Sequence, residues 1–392
     1  MRKPLRQTAS FRWSRIVQAH PWRSVLVSLT VLIMLAVPVF GLRLGFSDEG
    51  NYATETTTRK AYDLLSDGFG PGFNGPLLIV SEVSADIDIA DLTRVTETLS
   101  IADGVAFVSQ PVLNNPSAPT AVLWRLIPTT APQDQNTTQL VERLRDHVLP
   151  PVATEVGINP AVTGTVAVQV DFSNYLADRL PLFFIAVLGL SFLLLAAVFR
   201  SLLVPLKAVI MNLLSTSAAY GIVVALFQWG WFGGITKLEP GPIEPFVPMI
   251  LFAIVFGLSM DYEVFLLSRI REEWLRTGDS RTSVADGLAA TAKVITAAAA
   301  IMVFVFGSFI LEPDRPVRLI GLGLATAVFL DATVVRMLLV PATMELLWDW
   351  NWWLPKWLQR LLPTINVEGS SEYVDEELAS QLAGEHEPAD QH

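Results

Sequence analysis

Residues 257–267 read GLSMDYEVFLL, inside the longer apolar run PFVPMILFAIVFGLSMDYEVFLLSRI that begins at Pro245. An aspartate at the centre of a membrane helix costs roughly 2.5–3.5 kcal/mol on insertion scales. A side chain that expensive marks a functional site by default. Written on a helix, Ala253, Gly257 and Asp261 are four apart and share one face. Small residues there let a second helix approach closely, so Asp261 points into a helix–helix seam rather than into lipid. Desolvation in such a seam raises a carboxyl pKa, and a hydroxyl donor lowers it again. Tyr262 sits about 100° further around the helix, so it does not simply pair with its neighbour.

The surrounding chain is a membrane protein by composition. Of 392 residues, 52% are hydrophobic and 17% charged, with positive mean hydropathy, against about 25% charged in soluble domains. There is no cysteine, which excludes disulfides, thiolate metal sites and cysteine nucleophiles. None of the four histidines lies in an apolar run, which argues against a buried metal site or a histidine triad. The net charge of −11 makes nucleic acid an improbable partner. No phosphate loop of the G-x-x-x-x-G-K-[ST] type occurs, so ATP is not expected as an energy source, and no cofactor is implied.

Six segments reach the roughly 20 apolar residues that cross a bilayer. They cover residues 24–42, then five further spans within 179–345, at about 180–199, 204–228, 245–268, 290–311 and 317–345. The first follows basic residues like a signal peptide, but its apolar stretch exceeds a typical h-region and no A-x-A site follows, so it reads as an uncleaved helix. Arg200 and Lys207 flank one short loop; Arg269, Arg271, Arg276, Arg281 and Lys293 crowd another. By the positive-inside rule these loops and both termini are cytoplasmic. Residues 1–23 read as a basic N-terminus, 346–366 as a Trp-rich segment along the membrane surface, and 367–392 as a disordered acidic tail. Lys293 reads as snorkelling to the cytoplasmic interface.

Residues 43–178 are too long and too patterned for a linker. PLLIVSEV, GVAFVSQ, TAVLWRLIPT and NPAVTGT read as strands. DIADLTRVTETLSIA and TTQLVERLRDHVLP read as helices, giving β-α-β-β-α-β, the ferredoxin-like order. The fold class expected is thus an α-helical membrane protein with six transmembrane helices. An extracytoplasmic α+β ferredoxin-like porter domain lies between the first and second.

GLSMDYEVFLLSRIREEW in the fourth span, FLDATVVRMLLVPATMELL in the sixth and GFGPGFNGPLLIV at the start of the external domain carry a resemblance. The chain resembles the MmpL family of the resistance-nodulation-division superfamily, up to about Val367, and is most like its C-terminal half. The resemblance implies a proton-driven exporter of lipid or another hydrophobic substrate in the bacterial plasma membrane. It also implies that Asp261 contacts a partner Tyr, and Tyr262 a partner Asp, on the equivalent helix of a second repeat. Members usually carry two repeats, and parallel repeats share an axis along the membrane normal. A homodimer, a separately encoded N-terminal half and a larger parent chain each supply the missing one.

The other charges in the spans carry two readings each. Asp331 lines up with Ala327 and Gly323, with Arg336 five residues on; they are functional or form an internal polar contact. Glu263 faces away from Asp261, and lines a water path or reaches the headgroups. Asp261 is a proton carrier or a static hydrogen-bond partner, and sodium coupling is disfavoured because no oxygen-rich cage accompanies it. A non-enzymatic accessory role, in lipid sensing or protein secretion, is the alternative function. An intramembrane aspartyl protease needs YD and GxGD motifs and two carboxylates sharing a proton; the DY order here argues against an enzyme.

Overall fold

The computed structural model describes residues 9–231, 233, 239–355 and 358. The acidic tail, Trp357 and Lys237 lie outside the described residues. Most of the chain is helical, and six helices are long and apolar enough to cross a membrane. They are Pro21–Gly41, Thr165–Phe199, Leu203–Gln228, Val247–Thr277, Arg281–Leu311 and Arg315–Leu347, called spans 1–6 below.

Each start has a local cause. Pro21 and Pro248 occupy first-turn positions, where a missing N–H costs nothing. Asp279 caps span 5 by accepting from the backbone N–H groups of Arg281 and Thr282, and Asp314 caps span 6 by accepting from Val317 N. Span 1 crosses span 3 at Gly221, where an added Cβ would lie 1.9 Å from the Leu35 carbonyl oxygen. Only glycine permits that approach.

Residues 9–19, read from sequence only as basic N-terminus, form a helix, Ala9–Ala19. It buries Ser14, Val17 and Gln18. Gln18 Nε2 donates to the Arg281 carbonyl at 2.8 Å, and Trp13 Nε1 to the Met337 carbonyl at 2.8 Å. Lone basic residues mask this helix in the sequence, because its apolar face is only three or four side chains wide.

Between spans 1 and 2 lies a sheet of β1 (Leu77–Glu82), β2 (Val105–Val108), β3 (Val112–Leu113), β4 (Ala121–Pro128) and β5 (Ala161–Thr163). Its order is β2-β4-β1-β5, every pairing antiparallel, with β3 on β4. The helices Ile89–Ser100, Gln135–Arg143 and Leu149–Val156 share its core, where Trp124 donates to Thr96 Oγ1 at 2.9 Å. The two-residue β3 escapes a period-2 reading because it is too short to show one. In GFGPGFNGP, Gly72 passes so near β4 that an added Cβ would lie 1.9 Å from the Pro128 carbonyl oxygen.

Two roots hold this unit to the helices. Span 2 runs unbroken from β5, with Pro181 inside it. The chain leaving span 1 makes a parallel bridge, Leu44 with Ile243. There Gly45 N donates to the Ile243 carbonyl and Ile243 N to the Arg43 carbonyl, both at 3.0 Å.

Candidate functional site

Span 4 carries three consecutive polar residues that its 100° step sends three ways. Asp261 emerges with Ala253 and Gly257 on an exposed face, and an added Cβ at Gly257 would meet nothing within 4 Å. Tyr262 is half-buried; its ring lies 5.5 Å beneath the Arg336 guanidinium and its hydroxyl donates to Met302 Sδ at 3.2 Å. Glu263 turns into the bundle and is 3% exposed. Within the chain Asp261 and Tyr262 therefore do not pair, and Asp261 has no ion-pair partner among the described residues.

Behind Tyr262 lies a polar core. Arg336 Nε donates to Asp331 Oδ2 at 2.8 Å, both side chains buried. Five residues in an α-helix are about 140° apart, which would separate the two. Residues Asp331–Leu339 instead form a π-helical segment, whose wider turn brings them to one side. Arg336 Nη2 also donates to Ser259, to its Oγ at 3.0 Å and to its carbonyl. Ser259 Oγ donates to Asn212 Oδ1 at 2.7 Å, and Asn212 Nδ2 reaches Glu263 Oε2 at 3.5 Å. The chain of contacts is thus Asp331, Arg336, Ser259, Asn212, Glu263. Of the two readings of Asp331 and Arg336, the internal polar contact is present. Glu263 does not reach the headgroups: its place in this chain fixes it in the interior.

Asn212 and Ser259 escaped the sequence reading. Their signal is a polar side chain inside an apolar run, as in AVIMNLL and GLSMD. It is weak, because a lone Ser or Asn in a membrane helix is common.

Two further clusters sit at the bundle's ends. At one, Lys207, which flanks the short loop at the start of span 3, is buried and donates to Asn351 Oδ1 at 3.1 Å. Asn351 is fully buried: its Nδ2 donates to the Met344 and Trp348 carbonyls at 2.9 and 2.6 Å, and its carbonyl accepts from Ser201 Oγ at 2.5 Å. The Trp-rich segment therefore does not simply lie along the surface. Trp350 and Trp353 are exposed, while Asn351 and Leu354 fold under the bundle and Trp352 stacks on Trp274. The cause is local: Asn351 offers polar groups that a buried lysine and a helix end both need. Lys293 is exposed.

At the opposite end Arg315 is buried against Glu244, with Nη1 to Oε1 at 3.0 Å. It also donates to the carbonyls of Pro242 at 2.8 Å, Gly241 at 3.0 Å and Phe227 at 3.1 Å. Ser47 Oγ donates to the same Glu244 oxygen at 2.5 Å. Nearby, between spans 1 and 2, Asp48 accepts from Gly50 N, Gln133 Nε2 and Tyr62 Oη. Burial pushes its carboxyl above the ordinary range, and pushes the Tyr62 hydroxyl up as well.

Six membrane-length helices, a small antiparallel sheet between the first two and an acid within the fourth define a multi-pass membrane protein. The chain belongs to the MMPL family, whose model matches residues 119–363. It is 39% identical over 363 residues to the membrane protein YdfJ of Bacillus subtilis (strain 168), covering 91% of this chain and 49% of that protein. It is 34% identical to the mycolic acid-containing lipids exporter MmpL11 of Mycolicibacterium smegmatis, covering 91% of this chain and 38% of that one. To the trehalose monomycolate exporter MmpL3 of Mycobacterium tuberculosis it is 32% identical, covering 91% and 38%. The chain spans about half or less of the length of the curated relatives it matches.

Proposed function

We propose that this chain is one six-span repeat of a proton-motive-force-driven transporter in the bacterial plasma membrane. It exports lipid or another hydrophobic substrate to the cell envelope. The single observation that carries this reading is the placement of Asp261. Its carboxylate stands exposed on a face of small residues, with Tyr262 and a buried polar chain directly behind it. An ionisable group so placed in lipid is too costly unless another helix covers it. A second repeat, from a homodimer or a separate N-terminal half, supplies that helix and a tyrosine hydroxyl for Asp261. Protonation then neutralises Asp261, changes the seam, and draws on about 2.3 kcal/mol per charge per 100 mV. Two relatives named as lipid exporters support the substrate class.

In this reading both termini are cytoplasmic, and residues 43–178 form the external porter domain. Its sheet order supports a ferredoxin-like fold. Substrate enters from the outer leaflet, and span movement reaches the porter domain through spans 1 and 2. Asp261→Asn tests the proposal. The expected result is loss of proton uptake, read with a pH-sensitive dye in proteoliposomes, and of lipid export by cells, with expression and membrane insertion intact. Normal proton uptake by that variant ends the reading.

A further inference from the structure

The helix Thr57–Phe69, between span 1 and β1, buries none of its residues and presents its faces in reverse of the usual order. Its polar face points inward. Arg59 Nη1 donates to the carbonyls of Gly50 at 2.6 Å and Tyr52 at 3.2 Å, and its Nε pairs with Asp63 at 2.8 Å. Tyr62 Oη donates to Asp48 at 3.1 Å, and Asn74 Nδ2 donates to the Tyr62 carbonyl at 3.1 Å. These bonds hold the helix to the turns Glu49–Asn51 and Pro71–Asn74. Arg59, Tyr62, Asp63 and Ser66 have the i, i+3, i+4, i+7 spacing of one helix face. The opposite face is apolar and open. Ala61, Leu64 and Gly68 run along it; Leu64 is 73% exposed, and an added Cβ at Gly68 would meet nothing within 4 Å. An amphipathic helix ordinarily turns its apolar stripe to the core.

The charges beside this stripe fit a copy of itself. Lys60 and Asp67 stand two turns apart, about 10 Å, on one flank of it. Both are exposed, and neither has an ion-pair partner among the described residues. Let a second copy of the helix lie antiparallel across the first, about a two-fold axis beside Leu64. Leu64 then meets its own counterpart, and Ala61 meets Gly68 of the copy. Lys60 meets Asp67 of the copy, once on each side of the axis, as an isologous contact requires. All these pairings share one register to within a residue, and antiparallel helices also oppose their dipoles. We propose that this face is a contact between two copies of this chain, made by antiparallel pairing of their Thr57–Phe69 helices. The inference rests on the reading that a second repeat completes the transporter, and takes that repeat to be another copy. One pair of 13-residue helices falls short of the roughly 1,200 Å² of a stable interface. The contact therefore acts together with the seam at Asp261, between copies that one membrane already holds at high effective concentration.

The chain contains no cysteine, so a single introduced thiol reports on one position. Full-length Leu64→Cys, in its own membrane, is expected to cross-link to a dimer with a short bifunctional thiol reagent. The rate should exceed at least about tenfold that of Thr93→Cys, an exposed site on the helix Ile89–Ser100 that reports chance collision. On the Leu64→Cys background, Lys60→Glu and Asp67→Lys should each slow cross-linking at least about threefold, since each sets like charges opposite one another at both ends of the contact. Two separately tagged chains, one carrying each charge change, should recover it when made together, because the mixed pair again has opposite charges at both ends. No cross-linking of Leu64→Cys above the Thr93→Cys rate overturns the contact. If the thiol is instead shielded from a water-soluble maleimide, lipid or a different protein covers the face. Failure of the mixed chains to recover overturns the pairing of copies. The outcome is separable from the proton reading: lost cross-linking with normal proton uptake sinks this contact alone, and intact cross-linking without proton uptake sinks the role of Asp261 alone.

Discussion

Removing one member of a buried pair leaves the other charge stranded, at a cost of about 3–5 kcal/mol, whereas replacing both by apolar side chains is often neutral. Asp331 and Arg336 are such a pair. Asp331→Asn should therefore lower the unfolding temperature in detergent markedly. Asp331→Leu with Arg336→Met should recover much of that loss while leaving transport abolished, because Arg336 also sits over the Tyr262 ring. Recovery of transport in the double variant would make the pair purely structural. A milder case is Asp279, whose carboxyl is held below its ordinary value of 3.8, chiefly by the Thr282 hydroxyl and then by the Arg281 and Thr282 backbone N–H groups. A depressed folded pKa gives stability that is present above 3.8 and lost as pH falls through the folded value. Asp279→Asn keeps a cap but should flatten this acid limb of the melting curve; Asp279→Ala should cost about 1 kcal/mol at neutral pH. At this scale the sequence revealed the ionisable residues, since each stands out in an apolar run. It did not reveal who touches whom: Asp331 meets Arg336 only through a π turn, and Lys207, read as flanking a loop, is buried against Asn351.

Elements were easier to read than contacts, because length and apolarity alone decide what crosses a bilayer. The spans emerged within a few residues on their apolar sides, and VAVQVDFSNYLADRL reads helically into span 2, but the polar start of span 5 did not emerge. Span 5 begins at Arg281 and not near residue 290, since Asp279 caps a helix whose first turns are hydrophilic. Helix crossings were invisible, for they depend on glycines whose use only the neighbouring backbone explains. Gly221→Ala should force spans 1 and 3 apart and cost roughly 1–3 kcal/mol, as overpacking does. Thermal melting and cross-linking across that contact would check it; unchanged melting would mean that the helices slide past without strain.

Across the whole molecule, the exposed stripe of Ala253, Gly257 and Asp261 separates a surface from an interface. In the chain alone nothing opposes a larger side chain at Gly257. Gly257→Leu should leave monomer melting unchanged yet abolish assembly, read by native mass spectrometry or size-exclusion in mild detergent. Intact assembly in that variant would place the partner on another face. The likeness to one half of a two-repeat family was legible from the motifs, but the source of a second repeat was not, because this exposed helix face does not record which chain would cover it.

The Leu44–Ile243 bridge has a mechanical consequence. Its two hydrogen bonds fasten the root of the sheet-bearing unit to the segment immediately preceding the helix that carries Asp261. A tilt of that helix cannot be absorbed by slack in the strand beside it. It would reach the sheet through two attachments, this bridge and the helix Thr165–Phe199 that follows β5.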